Sequence, residues 1–266
     1  MGRVQGRLGR IALASPTAIL VVGLVLAPLI LTFVTSFARA DIVTFDISYT
    51  WNLDSYRALA DGIYTKTLLR SLALSLGATA GAVIVALPIA FLMSQASARA
   101  RLVILALVAI PFWTSFVIRT YAWENVLLAL GLERQIGSVW VVEVGMIVTY
   151  LPFAVLPIAA SLGRLDRSTL DAAGDLGAHG WRLLRRVVLP LSRRGIAAAA
   201  LLVGIPATGE VIVPQVLGGG KTLLAGNVLQ SSFQLGDRPL GSALALALMV
   251  ALLLYAGLAR IIGGRA

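Results

Sequence analysis

The sequence predicts an all-α membrane protein with six transmembrane helices, and three observations carry that expectation. Hydrophobic residues make up 59% of the 266-residue chain and charged residues 13%, against about 25% charged in a soluble domain. Too few polar side chains remain to cover a water-facing surface. The charged residues are also bunched, leaving uncharged stretches that match the roughly 20 apolar residues needed to cross a hydrocarbon core. Positive charge, finally, gathers at alternate connections. The whole chain, 1–266, is expected to form a single transmembrane domain.

The first span, near 12–37, lies in the 28 uncharged residues between Arg10 and Arg39. Ala38-Arg39-Ala40 resembles a signal-peptidase site, but a secretory apolar segment runs to only about 7–15 residues. An uncleaved first helix is expected. The second span, near 71–95, fills the 28 residues between Arg70 and Arg99, and its Gly77-Ala78-Thr79-Ala80-Gly81 run lets a neighbouring helix approach closely. Arg101 and Arg119 enclose 17 residues for a third span near 102–122, and Glu143 and Arg164 enclose 20 for a fourth near 142–162. A stretch from Arg194 to Lys221, interrupted only by Glu210, holds the fifth, near 195–216. The 21 residues between Arg238 and Arg260 hold the sixth, near 240–260. Eight of the ten prolines fall inside these spans. Each frees a backbone carbonyl and bends its helix, which is tolerated at membrane depth beside protein or a water-filled cavity.

Charge sets the expected orientation. Segments 1–10, 95–101, 162–194 and 260–266 carry +3, +2, +4 and +2, whereas 38–67, 123–138 and 217–238 carry −1, −1 and +1. Basic loops stay in the cytoplasm, so both termini are expected there. The net charge of +10 is thus a matter of topology and contact with the lipid bilayer, not of nucleic acid. The absence of cysteine excludes disulfides, thiolate metal sites and a Cys nucleophile, and a lone histidine, His179, excludes a two-histidine metal motif.

The loop 162–194 is the informative segment. Asp166 or Ser168 can cap a short helix through Ala172 and Ala173. Gly177 and Gly180 can supply the positive-φ turn that ends it, and a second amphipathic turn, Trp181 to Val188, is expected to stop at Pro190. Leu176, Trp181, Leu184 and Val188 then share an apolar side, with Arg182, Arg185 and Arg186 facing water or lipid headgroups. Two readings stand: a knob for another protein's groove, or an amphipathic loop lying on the bilayer.

The order Asp171-Ala172-Ala173, three residues, Gly177, eleven residues, Leu189-Pro190, then Gly195-Ile196 resembles the EAA loop of ABC-type importer permeases. The family usually has Glu where this chain has Asp171, which keeps the charge with a shorter reach. Further along, Leu53-Asp54-Ser55-Tyr56, Pro111-Phe112-Trp113-Thr114-Ser115-Phe116, Arg119-Thr120-Tyr121-Ala122-Trp123, Leu165-Asp166-Arg167 and Gly209-Glu210-Val211-Ile212-Val213-Pro214 are similar to the spermidine/putrescine class. The resemblance implies a type I ABC importer permease fold in the bacterial inner membrane. It also implies that Asp171, Ala172, Ala173, Gly177, Leu189 and Pro190 couple the permease to two cytoplasmic ATPase subunits. The other implied partners are a second permease chain, homologous or identical, and a periplasmic substrate-binding protein. The implied cargo is a polyamine, or in related members another small organic solute.

No cofactor is expected on this chain; ATP and Mg belong to the implied ATPase. Gly220-Lys221-Thr222 ends like a phosphate-binding loop, but Gln215 stands where that motif requires its first glycine. An enzyme is not expected, because His179 lies in the loop, away from any intramembrane serine. An ion-driven secondary transporter is the alternative of a different class, although the two halves of the chain show no convincing repeat. Intramembrane ionisable groups are candidate contacts for substrate. Glu210 leads: it either meets a substrate ammonium group or pairs internally, for instance with Arg119. Trp113, Tyr121 and Trp123 are candidate cation–π surfaces, with interfacial anchoring as the competing role. Glu124 and Glu143, near the outer ends of their spans, either attract cations at the mouth or are ordinary solvated charges.

Overall fold

The computed structural model describes residues 20–41, 44, 46–163 and 167–263. The start of the first expected span lies outside them, as does Asp166. Among the described residues four helices are long and apolar enough to cross a membrane, and a bent pair makes a fifth when counted as one.

Helix α1 (Leu20–Ser36) is apolar, with every side chain from Leu20 to Leu31 exposed. Only its end is anchored. Ser36 shares a 2.7 Å hydrogen bond with the Tyr56 hydroxyl, and Phe37 stacks against Trp51 and Tyr56. The chain then forms a two-residue antiparallel pair, β1 (Arg39–Ala40) with β2 (Ile47–Ser48), in register Arg39 to Ser48. That pair departs from the all-α expectation, and the short α2 (Asp54–Ala60) is an addition to the expected spans.

Helix α3 (Gly62–Gln95) is about 50 Å long at 1.5 Å per residue. Ala78, Ala82, Ala86 and Ala90 are fully buried on it. At i, i+4 spacing they form one smooth stripe, which lets α6 (Val139–Leu162) and α9 (Leu189–Thr208) pack close. Met146, Val155 and Ile158 of α6 and Ala199, Val203 and Ala207 of α9 complete this core. The Gly77–Gly81 run is used as expected: Ile147 of α6 fills the space above Gly81, where a Cβ would come within 2.5 Å of it.

Three expected boundaries are corrected. The third span is not one helix but α4 (Ala98–Ala109) and α5 (Phe116–Ala129), joined through a 3-10 turn at Ile110–Trp113 and bent by 100°. Pro111 in that turn has no N–H for a helical bond, and Thr114 beyond it is extended. Nor does the chain stop at Pro190. Helix α8 (Gly180–Leu183) passes through a π turn at Leu184–Val188 directly into α9, giving one helix from Gly180 to Thr208. The wider turn accommodates the ring of Pro190, which would otherwise press on the carbonyl one turn back. The fifth span accordingly begins earlier than expected and ends at Thr208, short of 216. Gly209 to Val211 are non-helical before α10 (Ile212–Val216).

The other helices are α7 (Arg167–Asp175), α11 (Ala225–Gln234) and α12 (Arg238–Gly263). A second apolar cluster joins Leu59 of α2 to Leu240, Ala243 and Leu244 of α12, with Val228 and Leu229 of α11 against it.

Candidate functional site

The segment between α6 and α9 has the bend that the glycines suggested. The Gly177 N–H donates to Gly174 O at 2.8 Å, and the Ala178 N–H donates to Ala173 O at 2.9 Å. With Gly177 at φ +77°, these bonds form the Schellman closure that satisfies carbonyls left open at a helix end. Gly180, at φ +53°, then starts α8. The bend leaves two large apolar side chains largely exposed: Leu176 is 89% exposed and Trp181 is 71% exposed. Trp181, Leu184 and Val188 line one apolar cavity with Leu87 and Phe91 of α3, whereas Leu176 lines a separate groove, so three of the four share the expected apolar side. Ala172, Ala173 and Leu176 line an open groove with Ser168, Thr169 and Val187. Asp171 lies on the same helix, while Leu189 and Pro190 are exposed at the π turn.

A second constellation surrounds the break after α9. Once the helix ends, the N–H groups that open α10 need an acceptor, and Glu210 supplies it. Its Oε1 accepts from the N–H groups of Val211, Ile212 and Val213 at 3.0, 2.9 and 3.2 Å. Its Oε2 accepts from the Tyr150 hydroxyl, and the residue is 5% exposed. Asn227 closes the other side, donating to Val211 O at 2.8 Å and accepting from the Leu224 N–H at 3.1 Å. The suggested pairing with Arg119 does not form. Arg119 donates to Pro111 O at 2.5 Å, tying together the two arms of the bent pair, and lies 5.7 Å from the Phe116 ring centre.

The candidate aromatics are not brought together. Trp113 sits in the 3-10 turn and is 80% exposed. Tyr121 and Trp123 lie exposed on α5, Trp123 against a small apolar pocket with Trp140 and Leu217. Among the described residues no ring contact involves these three. Beside the bent pair, ring contacts instead run from Phe112 through Phe153 and Tyr150 to Phe116, and thus lead to Glu210. Sequence reasoning missed Tyr150; its signal was a phenol in an otherwise apolar span, a group that needs a partner once buried.

Glu143 occupies a different setting. It lies on α6 over Gly77 of α3, where any side chain at 77 would collide with its Oε1. Its Oε2 is buried with no hydrogen-bond partner. The ion pairs among the described residues are Arg39–Asp54 at 4.0 Å and Arg57–Asp54 at 3.5 Å, both on the exposed cap formed by β1 and α2.

Comparison with known proteins gives these arrangements a context. Residues 82–266 match the family described as the inner membrane component of binding-protein-dependent transport systems. The chain is 35% identical over 248 residues to the spermidine/putrescine transport system permease protein PotB of Haemophilus influenzae, covering 87% of this chain and 86% of that protein. It is 33% identical to the Escherichia coli protein of the same name, covering 85% and 87%. Its fold is similar to that of a chain in the crystal structure of a bacterial alginate ABC transporter, solved with an alginate pentasaccharide-bound periplasmic protein. The TM-score is 0.70 at 16% identity, over 99% of this chain and 96% of that one.

Proposed function

The chain belongs to the family of inner-membrane components of binding-protein-dependent transport systems, and from that premise we propose that it is the subunit through which an ATP-driven importer passes a polyamine, spermidine or putrescine. The observation that carries the substrate class is the 35% identity, across 87% of the chain, to a protein named for spermidine and putrescine transport.

In this reading the chain crosses the inner membrane six times, α1 being the first span and the bent α4–α5 pair the third, with both termini cytoplasmic. The partition of basic charge supports that orientation. Helix α7 then faces the cytoplasm, where Asp171, Ala172, Ala173, Gly177, Leu189 and Pro190 belong to the surface that couples to two ATPase subunits. Leu176 and Trp181, left largely exposed at the bend, suit insertion into a partner's groove. Hydrolysis of ATP with Mg takes place on those subunits, and this chain supplies the path. A second permease, homologous or identical, lies against the exposed helices, and Trp113, Tyr121 and Trp123 face the path between the two. A periplasmic binding protein delivers the amine.

The test is uptake of labelled spermidine and putrescine into proteoliposomes holding this chain with its co-purified partner subunits. Uptake that requires ATP and the binding protein, and that survives an uncoupler, is expected. Uptake that an uncoupler abolishes would return the ion-driven class, and ATP-driven uptake of an uncharged solute alone would remove the polyamine assignment.

A further inference from the structure

Two carboxylates lie within the apolar helices and the break that follows them, Glu210 buried and Glu143 partly so, and the structure treats them oppositely. Glu210 receives four donors from its own chain, Tyr150 and three backbone N–H groups. That fills the roughly four acceptor positions a carboxylate offers. Glu143 sits about 6 Å along α6 from its first residue, at 1.5 Å per residue. It lies in the slot left by the missing side chain of Gly77. One of its oxygens is buried without a donor, and no ion pair among the described residues reaches it. Arg70, on the helix that Glu143 packs against, is turned to the Thr222 hydroxyl at 3.3 Å. Lys221 lies beside Gly137, ahead of the start of α6.

A carboxylate with one oxygen withdrawn from water, and with neither donor nor counter-charge from its own chain, is poorly compensated. It becomes favourable when a cation carrying N–H groups arrives, because one group then supplies both the charge and the hydrogen bond. Intramembrane carboxylates left open in this way mark ion and substrate paths. Glu143 is also partly exposed, and it lies at the end of α6 that the charge partition assigns to the periplasm, the side from which an imported amine comes.

We propose that Glu143, rather than Glu210, is the group that accepts a substrate ammonium at the outer mouth of the path, an inference that rests on the polyamine reading above. The primary ammonium reaches the Glu143 carboxylate from its exposed side, and the missing side chain of Gly77 leaves room for that carboxylate. Glu210 serves the fold, fastening the break between α9 and α10.

The experiment compares wild type, Glu143→Gln and Glu143→Asp in the complete complex in proteoliposomes. Its readouts are uptake of labelled putrescine over a range of concentrations, recovery of the ATPase subunits, and basal ATPase rate. Glu143→Gln keeps the shape and removes the charge. It is expected to lose at least about tenfold in uptake at limiting putrescine, the lower range for a charge-assisted hydrogen bond, with assembly and basal ATPase rate retained. Glu143→Asp, which keeps the charge, is expected to fall between the two. Wild-type uptake by Glu143→Gln overturns the inference and leaves the polyamine reading intact. If Glu143→Gln fails to assemble, uptake by Glu143→Asp that is reduced but retained, or equal to wild type, supports a charge requirement, and failure of Glu143→Asp as well overturns the inference in favour of a packing role. A wild-type complex that carries no amine overturns both.

Discussion

Gly177 offers a way to separate backbone from charge at the bend between α7 and α8. Its φ of +77° lies in the left-handed region, and a Cβ built there would meet nothing within 4 Å. Alanine at 177 therefore has no steric conflict, only the conformational cost of about 1–2 kcal/mol for an L-residue in that region. At 1.4 kcal/mol per factor of ten, the bent form should lose roughly five- to thirtyfold in relative weight. Asparagine and aspartate both tolerate the left-handed conformation and are nearly the same shape, so they differ chiefly in charge. Gly177→Asn is expected to couple nearly as well as wild type, Gly177→Ala less well, and Gly177→Asp worst, because it sets a negative charge beside the proposed docking surface. Membrane insertion depends on the apolar helices and should be equal in all three. The assay is ATPase activity stimulated by the binding protein, with recovery of the ATPase subunits on the purified complex as control. Normal stimulation in Gly177→Asp would refute the coupling role, and equal loss in Asn and Asp would refute the argument from charge.

Ala38-Arg39-Ala40 should survive in the mature protein, since Ala38 is 1% exposed and Ala40 is paired to Ile47; an intact mass lacking the first 40 residues would contradict this. Glu210→Gln should lower the melting temperature of the purified complex by weakening a buried charged acceptor, an effect of about 1–3 kcal/mol. Adding Arg119→Gln should not restore it, because Arg119 is bonded to Pro111 O; full rescue in the double variant would reject the assignment. Gly81→Val should separate α3 from α6, as its Cβ would fall 2.5 Å from Ile147 Cδ1, at a cost of roughly 1–3 kcal/mol for overpacking. An unchanged melting curve would show that the helices do not meet there.

The apolar helices were legible because a bilayer demands length and lack of charge, and both can be counted. The second, fourth and sixth spans match α3, α6 and α12 at their C-terminal ends to within three residues. What escaped was how proline acts in each setting. Pro111, followed by an extended Thr114, breaks its helix outright. Pro190, at the start of α9, is absorbed by a wider turn, and Pro88, Pro152 and Pro157 leave their helices continuous. The difference lies in whether neighbouring turns can widen or find other donors, which local sequence does not record. The bend at Gly177 was legible because a helix end with a left-handed glycine is a local event. Which carboxylate is satisfied was not, since Tyr150 is 60 residues from Glu210 and Gly77 is further still from Glu143 in sequence. Charge and hydropathy mark both as costly without saying which has found its partner.

The passage of α8 into α9 without a stop gives the molecule a connecting rod. From Gly180 to Thr208 the chain is one helix of 29 residues, about 44 Å at 1.5 Å per residue. It begins at the glycine bend beside Trp181 and finishes one residue before the turn that Glu210 fastens. An intact helix lengthens little under load because each turn is bonded to the next, so a push at the first end arrives at the far end as displacement and not as stretch. The yielding points are the joints, Gly177 with Gly180 at one end and Gly209 at the other. Tyr150 and Asn227 hold the segment just past that second joint against the bundle, so a stroke that shifts the rod must either carry them along or shear their bonds.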